Sequence, residues 1–215
     1  MLVDMHLHEC AHSLDSFINL KQIVDIAKFK GLDAVCITAH ASMGRKDYAA
    51  EYSKEVGFPI FVGIEFFSLW GDITAWGIDS YPDHRIGAQE FIDHVNKSGG
   101  FCVSCHPFRN NNRGLEDHLR DVKGLHGVEV LNGSTSLEAN RTALRYCREL
   151  GLQAIGASDA HVEKQIGKYV TWLPEMVYNT GDFIAQLHEF LRQMLTESAH
   201  TDNENGFHRE SPFVC

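Results

Sequence analysis

The sequence predicts an α/β fold built on a parallel sheet, with its functional groups at the C-terminal ends of the strands. Three observations predict it. Short apolar runs of strand length alternate with amphipathic helical stretches along most of the chain. Glycine or proline punctuates the junctions, at Gly31, Pro59, Gly99-Gly100 and Gly151. Several of the apolar runs end in histidine or aspartate, side chains that bind metals or move protons.

Taken in order, Leu2-Val3-Asp4-Met5-His6-Leu7-His8 alternates apolar and polar residues, so a strand here sets Asp4, His6 and His8 on one face. Asn19 is placed to cap a helix over residues 20–30, which Gly31 ends. A buried strand over 34–38 delivers His40, and a helix follows over 46–56. The run 60–67 is strongly β, and Glu65 within it requires a partner or a cation. A strand over 72–78 and a helix over 87–97 precede the strand 101–107, which ends at His106-Pro107. Next come a strand over 127–132, an amphipathic helix over 136–150 and a strand ending in Asp159-Ala160-His161. A last helix over 182–195 closes a single domain, residues 1–195, and the polar segment 196–215 reads as a disordered tail.

Composition narrows the function. The 215 residues are 44% hydrophobic and 22% charged, with no apolar run long enough to span a membrane. A net charge of −10 argues against an extended nucleic-acid surface, which needs clustered Lys and Arg, but not against a small phosphorylated substrate. The first residues lack the pattern of a secretory leader, so a cytoplasmic address is expected. The six cysteines, at 10, 36, 102, 105, 147 and 215, are read as reduced thiols. Cys102-Val103-Ser104-Cys105-His106 matches the haem-attachment string, but alternation along a strand puts the two thiols on opposite faces, which favours buried cysteines.

Thirteen histidines ask for metal or acid–base chemistry. In a barrel of parallel strands, βα loops gather on one face, and His6, His8, His40, Glu65, His106, Asp159 and His161 all lie at such ends. Imidazole and carboxylate without thiolate suit zinc, manganese or iron, and Glu65 suits a bridging position. His84, His94, His118, His126, His188, His200 and His208 fall elsewhere, and Arg141 and Arg145 read as a solvated helix face. Arg113 and Lys168 lie in loops close enough to the ligand set to be candidates for phosphate.

These motifs resemble the PHP (polymerase and histidinol phosphatase) family of metal-dependent phosphoesterases. Asp4-Met5-His6-Leu7-His8 is similar to its opening D-x-H-x-H, Ile37-Thr38-Ala39-His40 to its I-T-D-H, and Gly63-Ile64-Glu65 to its bridging glutamate. Ser104-Cys105-His106-Pro107-Phe108-Arg109 resembles its HP-containing strand end, and Gly156-Ala157-Ser158-Asp159-Ala160-His161 its G-S-D-A-H.

The resemblance covers roughly residues 2–170 and implies a distorted (β/α)7-type barrel holding two or three divalent metal ions. It implies that His6, His8, Glu65 and Asp159 hold one ion, that His40, His161 and a loop carboxylate hold another, and that Glu65 and His106 hold a third if present. A metal-bridging hydroxide would then attack a phosphate monoester or small nucleotide or oligonucleotide, with Glu65 and Asp159 central to the chemistry and Arg109 clamping a phosphate oxygen.

The loop after His8 departs from the family's pattern. Asp15, 25 residues before His40, is favoured as its ligand, with His12 the rival. Ala39 replaces the aspartate of I-T-D-H, and Trp76 stands where many members carry a histidine, which weakens a third ion. Asn132 reads as a structural or substrate contact. Two rival functions share the same residues: hydrolysis of a C–N or carboxylic ester bond, and a non-catalytic metal-binding module.

Overall fold

The computed structural model describes residues 1–201, with side chains placed through residue 191 and at 193. Eight strands run β1 (Leu2–Leu7), β2 (Ala34–Ile37), β3 (Ile60–Phe67), β4 (Asp72–Trp76), β5 (Phe101–Ser104), β6 (Gly127–Asn132), β7 (Gln153–Ala157) and β8 (Thr171–Trp172). They pair in the order β7-β6-β5-β4-β3-β2-β1-β8. The two ends of this sheet come together beyond β1 and β7, where Asp159 N donates to His6 O at 2.8 Å and His8 N donates to Ala160 O at 3.0 Å. Lower down, Thr171 of β8 bridges the same seam, its hydroxyl meeting both N and O of Gly156. The result is a nearly closed eight-stranded barrel.

Two features of the sheet differ from the sequence reading. β4 is antiparallel to both β3 and β5, because only residues 68–71 join it to β3 and a parallel crossover needs a dozen or more. The two residues of β8 carry too little pattern to be read as a strand; they lie antiparallel to β1.

The helices form where caps and periodicity agree. For α1 (Leu20–Phe29), Asn19 accepts from Gln22 N while the Gln22 side chain accepts from Asn19 N, and Leu20, Ile23, Val24 and Ala27 turn inward. α2 (Lys46–Val56) and α4 (Leu137–Leu150) each end on a left-handed glycine, Gly57 and Gly151. α1 and α2 cover β1–β3 through one apolar cluster, while α3 (Ala88–Lys97) and α4 cover β4–β6 through another.

A third cluster fills the barrel below the functional face, and α5 (Thr180–Thr201) plugs the lower end with Phe183, Ile184, Leu187 and Phe190. Phe61 and Phe183 stack there at 4.1 Å. Trp76 is fully buried in the same cluster opposite Gly63, where a Cβ would lie only 2.4 Å from the indole. α5 continues six residues past the expected end at 195, and residues 202–215 of the predicted tail lie outside the described residues. Among the described residues no helix is long and apolar enough to cross a membrane.

Candidate metal centre

β1 delivers two imidazoles to the upper end of the barrel, where His6 Nε2 and His8 Nε2 lie 2.9 Å apart. Glu65, near the end of β3, points its Oε2 at them, 3.7 Å from His6 and 3.4 Å from His8. Asp159, beyond β7, brings Oδ1 to 3.6 Å and 3.2 Å from the same nitrogens. These four side chains are at most 1% exposed. His40 Nδ1 sits 2.6 Å from Glu65 Oε2, yet the two atoms are not aligned as a hydrogen bond, and both are buried without a hydrogen-bond partner. A carboxylate oxygen stranded among imidazole nitrogens is the arrangement a cation satisfies, so the donor set fits divalent metal.

A second group lies toward solvent. Asp15 Oδ2, on the loop after β1, is 3.2 Å from His40 Nε2 and 3.3 Å from His161 Nε2. His161 stacks on His8 with centroids 4.2 Å apart. Of the two loop candidates it is Asp15 that reaches this group, while His12 faces Ser42. Donor atoms of His6, His8 and Asp159 lie within 4.8 Å of one another, as do those of His8, His40 and His161, and of Glu65, Asp72 and His106.

Outer contacts fix the inner residues. Glu129 Oε1 is 2.7 Å from His6 Nδ1, which turns Nε2 toward the centre, and Glu129 Oε2 accepts from His106 N at 2.9 Å and Asn132 Nδ2 at 2.8 Å. His106 Nε2 in turn meets Glu65 Oε1 at 2.9 Å. Ser13 orients His8 from its Nδ1 side at 3.1 Å. Asp4 points away: its oxygens accept from Ser158 N and Gly167 N at 2.9 and 2.8 Å, stitching β1 to the segment after β7. His106 and Asp159 both hold left-handed backbone, at φ +33° and +52°, a strain found at functional sites.

Burial and neighbours divide the charges. Burial dominates at His8 and pushes it down to about 4. Burial also opposes protonation of His6, but Glu129 and Asp159 outweigh it and raise the imidazole well above its usual value. Glu65, though burial works against its charge, is held well below the carboxylate range by His106, His40 and His6. Asp159 is held low in the same way, chiefly by His6 and His8. Asp72, by contrast, is pushed up to about 7 by burial and the charge of Glu65.

All eight predicted metal-type residues, His6, His8, Asp15, His40, Glu65, His106, Asp159 and His161, therefore converge. Arg109 reaches the same place, but its guanidinium rests on Asp159 Oδ2, with Asn132 Oδ1 at 2.7 Å and Thr135 Oγ1 at 3.1 Å. Arg113 pairs with Asp72 rather than standing open, and Lys168 donates to Gly133 O. Trp76 lies down the barrel opposite Gly63; the β4 residue at the centre is Asp72, since an antiparallel strand presents its first residue to this face.

Sequence reasoning missed Glu129 and Asp72. Glu129 carried the same signal as Glu65, a carboxylate inside an apolar strand. Cys105 also approaches, its thiol 3.6 Å from Glu65 Oε1, whereas Cys102 turns to His126, so the two thiols do face opposite ways.

Residues 138–189 match the PHP-associated family. An uncharacterised protein of Methanocaldococcus jannaschii is 27% identical over 141 residues, 61% of this chain and 82% of the relative. A crystal structure described as a metal-dependent phosphoesterase from Bifidobacterium adolescentis superposes with a TM-score of 0.63 at 19% identity, over 75% of this chain and 88% of that one. An amidohydrolase from Chromobacterium violaceum, solved with bound sulfate and no metal, superposes at 0.66 with 17% identity, over 86% of this chain and 96% of that one. At such identities the structural likeness establishes the fold. The family match over residues 138–189 bears out the resemblance to the PHP family.

Proposed function

We propose that this protein is a metal-dependent phosphoesterase acting on a phosphate monoester or a small nucleotide. The observation that carries the reading is Glu65 Oε2, buried without a hydrogen-bond partner and facing nitrogens of His6, His8 and His40. His6, His8, Glu65 and Asp159 would hold one divalent ion, and His40, His161 and Asp15 a second, with Glu65 between them; zinc, manganese or iron suits these donors. Bound ions supply an acidified water and neutralise charge on phosphoryl oxygens.

The chain's own residues do the rest. Glu129 fixes the His6 ring, and His106 holds the second oxygen of Glu65, so the donors keep their directions through turnover. Arg109, one-fifth exposed, is the donor fork nearest Asp159. Nη2 donates to both Asp159 Oδ2 and Asn132 Oδ1, so turning its one hydrogen from Asp159 to a phosphate oxygen would place the substrate beside the ions while the other stays on Asn132 and Nε stays on Thr135. The outer group of Asp15, His40 and His161 is the more exposed, which sets the direction of substrate entry.

The test is phosphate release from a panel of phosphomonoesters, nucleotides and short oligonucleotides by manganese-loaded protein, beside His6→Ala. Release by the parent alone supports the reading. Silence with ions bound overturns it in favour of a C–N or carboxylic ester hydrolase, the reading that the similarity to an amidohydrolase favours, or of a non-catalytic metal-binding module. Where phosphate is released, Arg109→Ala should raise KM, and an unchanged KM would remove the main support for phosphate recognition.

A further inference from the structure

Resting on that reading, we propose that the protein holds two divalent ions and that the guanidinium of Arg113 takes the place of a third. The Glu65, Asp72 and His106 donors lie within 4.8 Å of one another, with Asp72 Oδ2 4.0 Å from His106 Nε2, so the residues of a third corner are assembled. Arg113 already closes it. Its Nε donates to Asp72 Oδ2 at 2.6 Å and its Nη2 to Oδ1 at 2.8 Å, so both oxygens are engaged, including the one that faces His106. A bidentate guanidinium neutralises the carboxylate as a cation would and repels a second positive charge a few ångströms away.

The placement is built into the backbone. Asp72 N donates to Arg113 O at 2.6 Å, and Gly71, at φ +155°, approaches Gly114 so closely that a Cβ would lie 2.5 Å from its carbonyl carbon. Gly114 is pressed in turn on Pro107, the residue after His106. The guanidinium is further held over the Phe67 ring, its Cζ 4.3 Å from the centroid. Asp72 is fully buried, so a released Arg113 would leave a carboxylate that calls for another cation. An ion arriving in that variant would find His106, Asp72 and Glu65 waiting.

The experiment counts manganese per chain by elemental analysis after equilibration with manganese and gel filtration, for the full-length protein and for Arg113→Met, Arg113→Lys and Asp72→Asn. Two ions are expected in the wild type, R113K and D72N, and three in R113M, with the thermal midpoint of metal-free R113M rising more steeply on manganese addition than that of the wild type. Three ions in the wild type, or two in a folded R113M, overturn the proposal. A wild type that binds none overturns the metal reading itself and this proposal with it. If R113M does not fold, Arg113→Gln takes its place: three ions in R113Q supports the substitution of ion by guanidinium, and two overturns it.

Discussion

The upper and lower ends of the barrel use the same strands for opposite purposes. At the top, the ends of β1 and β3 present His6, His8 and Glu65, buried polar groups held by Glu129, Ser13 and His106. At the bottom, β3, β4 and β5 contribute Phe61, Trp76, Phe101 and Val103 to a dry core that α5 seals. The lower end gains stability by removing apolar surface from water, whereas the upper end keeps buried charges together in numbers that a core alone does not tolerate. Strand direction decides which end a residue serves.

The largest effect should come from the polar end. Glu65→Gln, which keeps the shape and removes the charge, should abolish metal retention and phosphate release together, measured by elemental analysis and turnover, while the metal-free thermal midpoint stays near or above that of the parent. A large fall in that midpoint would show that Glu65 stabilises the fold as well. Trp76→Ala should do the reverse: a cavity costing about 3–5 kcal/mol and a midpoint lowered by roughly 10 °C, with manganese still bound. Loss of metal at temperatures where the variant is folded would break the separation of the two ends.

Glu129→Gln sharpens the boundary, because Glu129 touches His6 from outside the centre. Its loss should weaken metal affinity or activity by roughly 10–100-fold. Gly63→Ala tests the packing of the lower end, where a Cβ meets the Trp76 indole, and should cost about 1–3 kcal/mol with an unchanged metal count.

The smallest effect belongs to His126, below the core. Burial first, then the charge of His188, pushes it down to about 4, below the unfolded value of about 6.5. The unfolded chain therefore binds more protons between these values, so this histidine's stabilisation is present above about pH 6.5 and is lost as pH falls toward 4. His126→Gln should flatten the midpoint-against-pH curve in that window by a few degrees; an unchanged curve would show that His126 titrates alike in both states.

The sequence made most of this legible where two signals coincided. Asn19, Gly31, Pro59 and Gly151 mark element ends, and the regular periods between them placed α1, α2, β3 and β6 within a residue or so. Seven of the eight ligand-type residues were legible because each lies at the end of a strand or just past it; Asp15, in the loop after β1, was favoured over His12 only on its spacing from His40. Asp72 was not, since an acid at the start of a strand reaches the centre only if that strand runs backwards, and direction is set by a four-residue turn. The pairing of Arg109 with Asp159 and of Arg113 with Asp72 was equally hidden, because loop residues meet by tertiary folding alone.

The seam between β1 and the segment after β7 has a consequence for how the protein comes to exist. Asp4 is tied to Ser158, 154 residues away, by the same strip of chain that sets His6 and His8 beside Asp159 and His161. On a ribosome the first two histidines emerge long before the residues that complete their company. The full set of donors cannot assemble until the seam residues after β7 have left the exit tunnel, so any ion that needs all of them would be taken up late in the protein's biosynthesis.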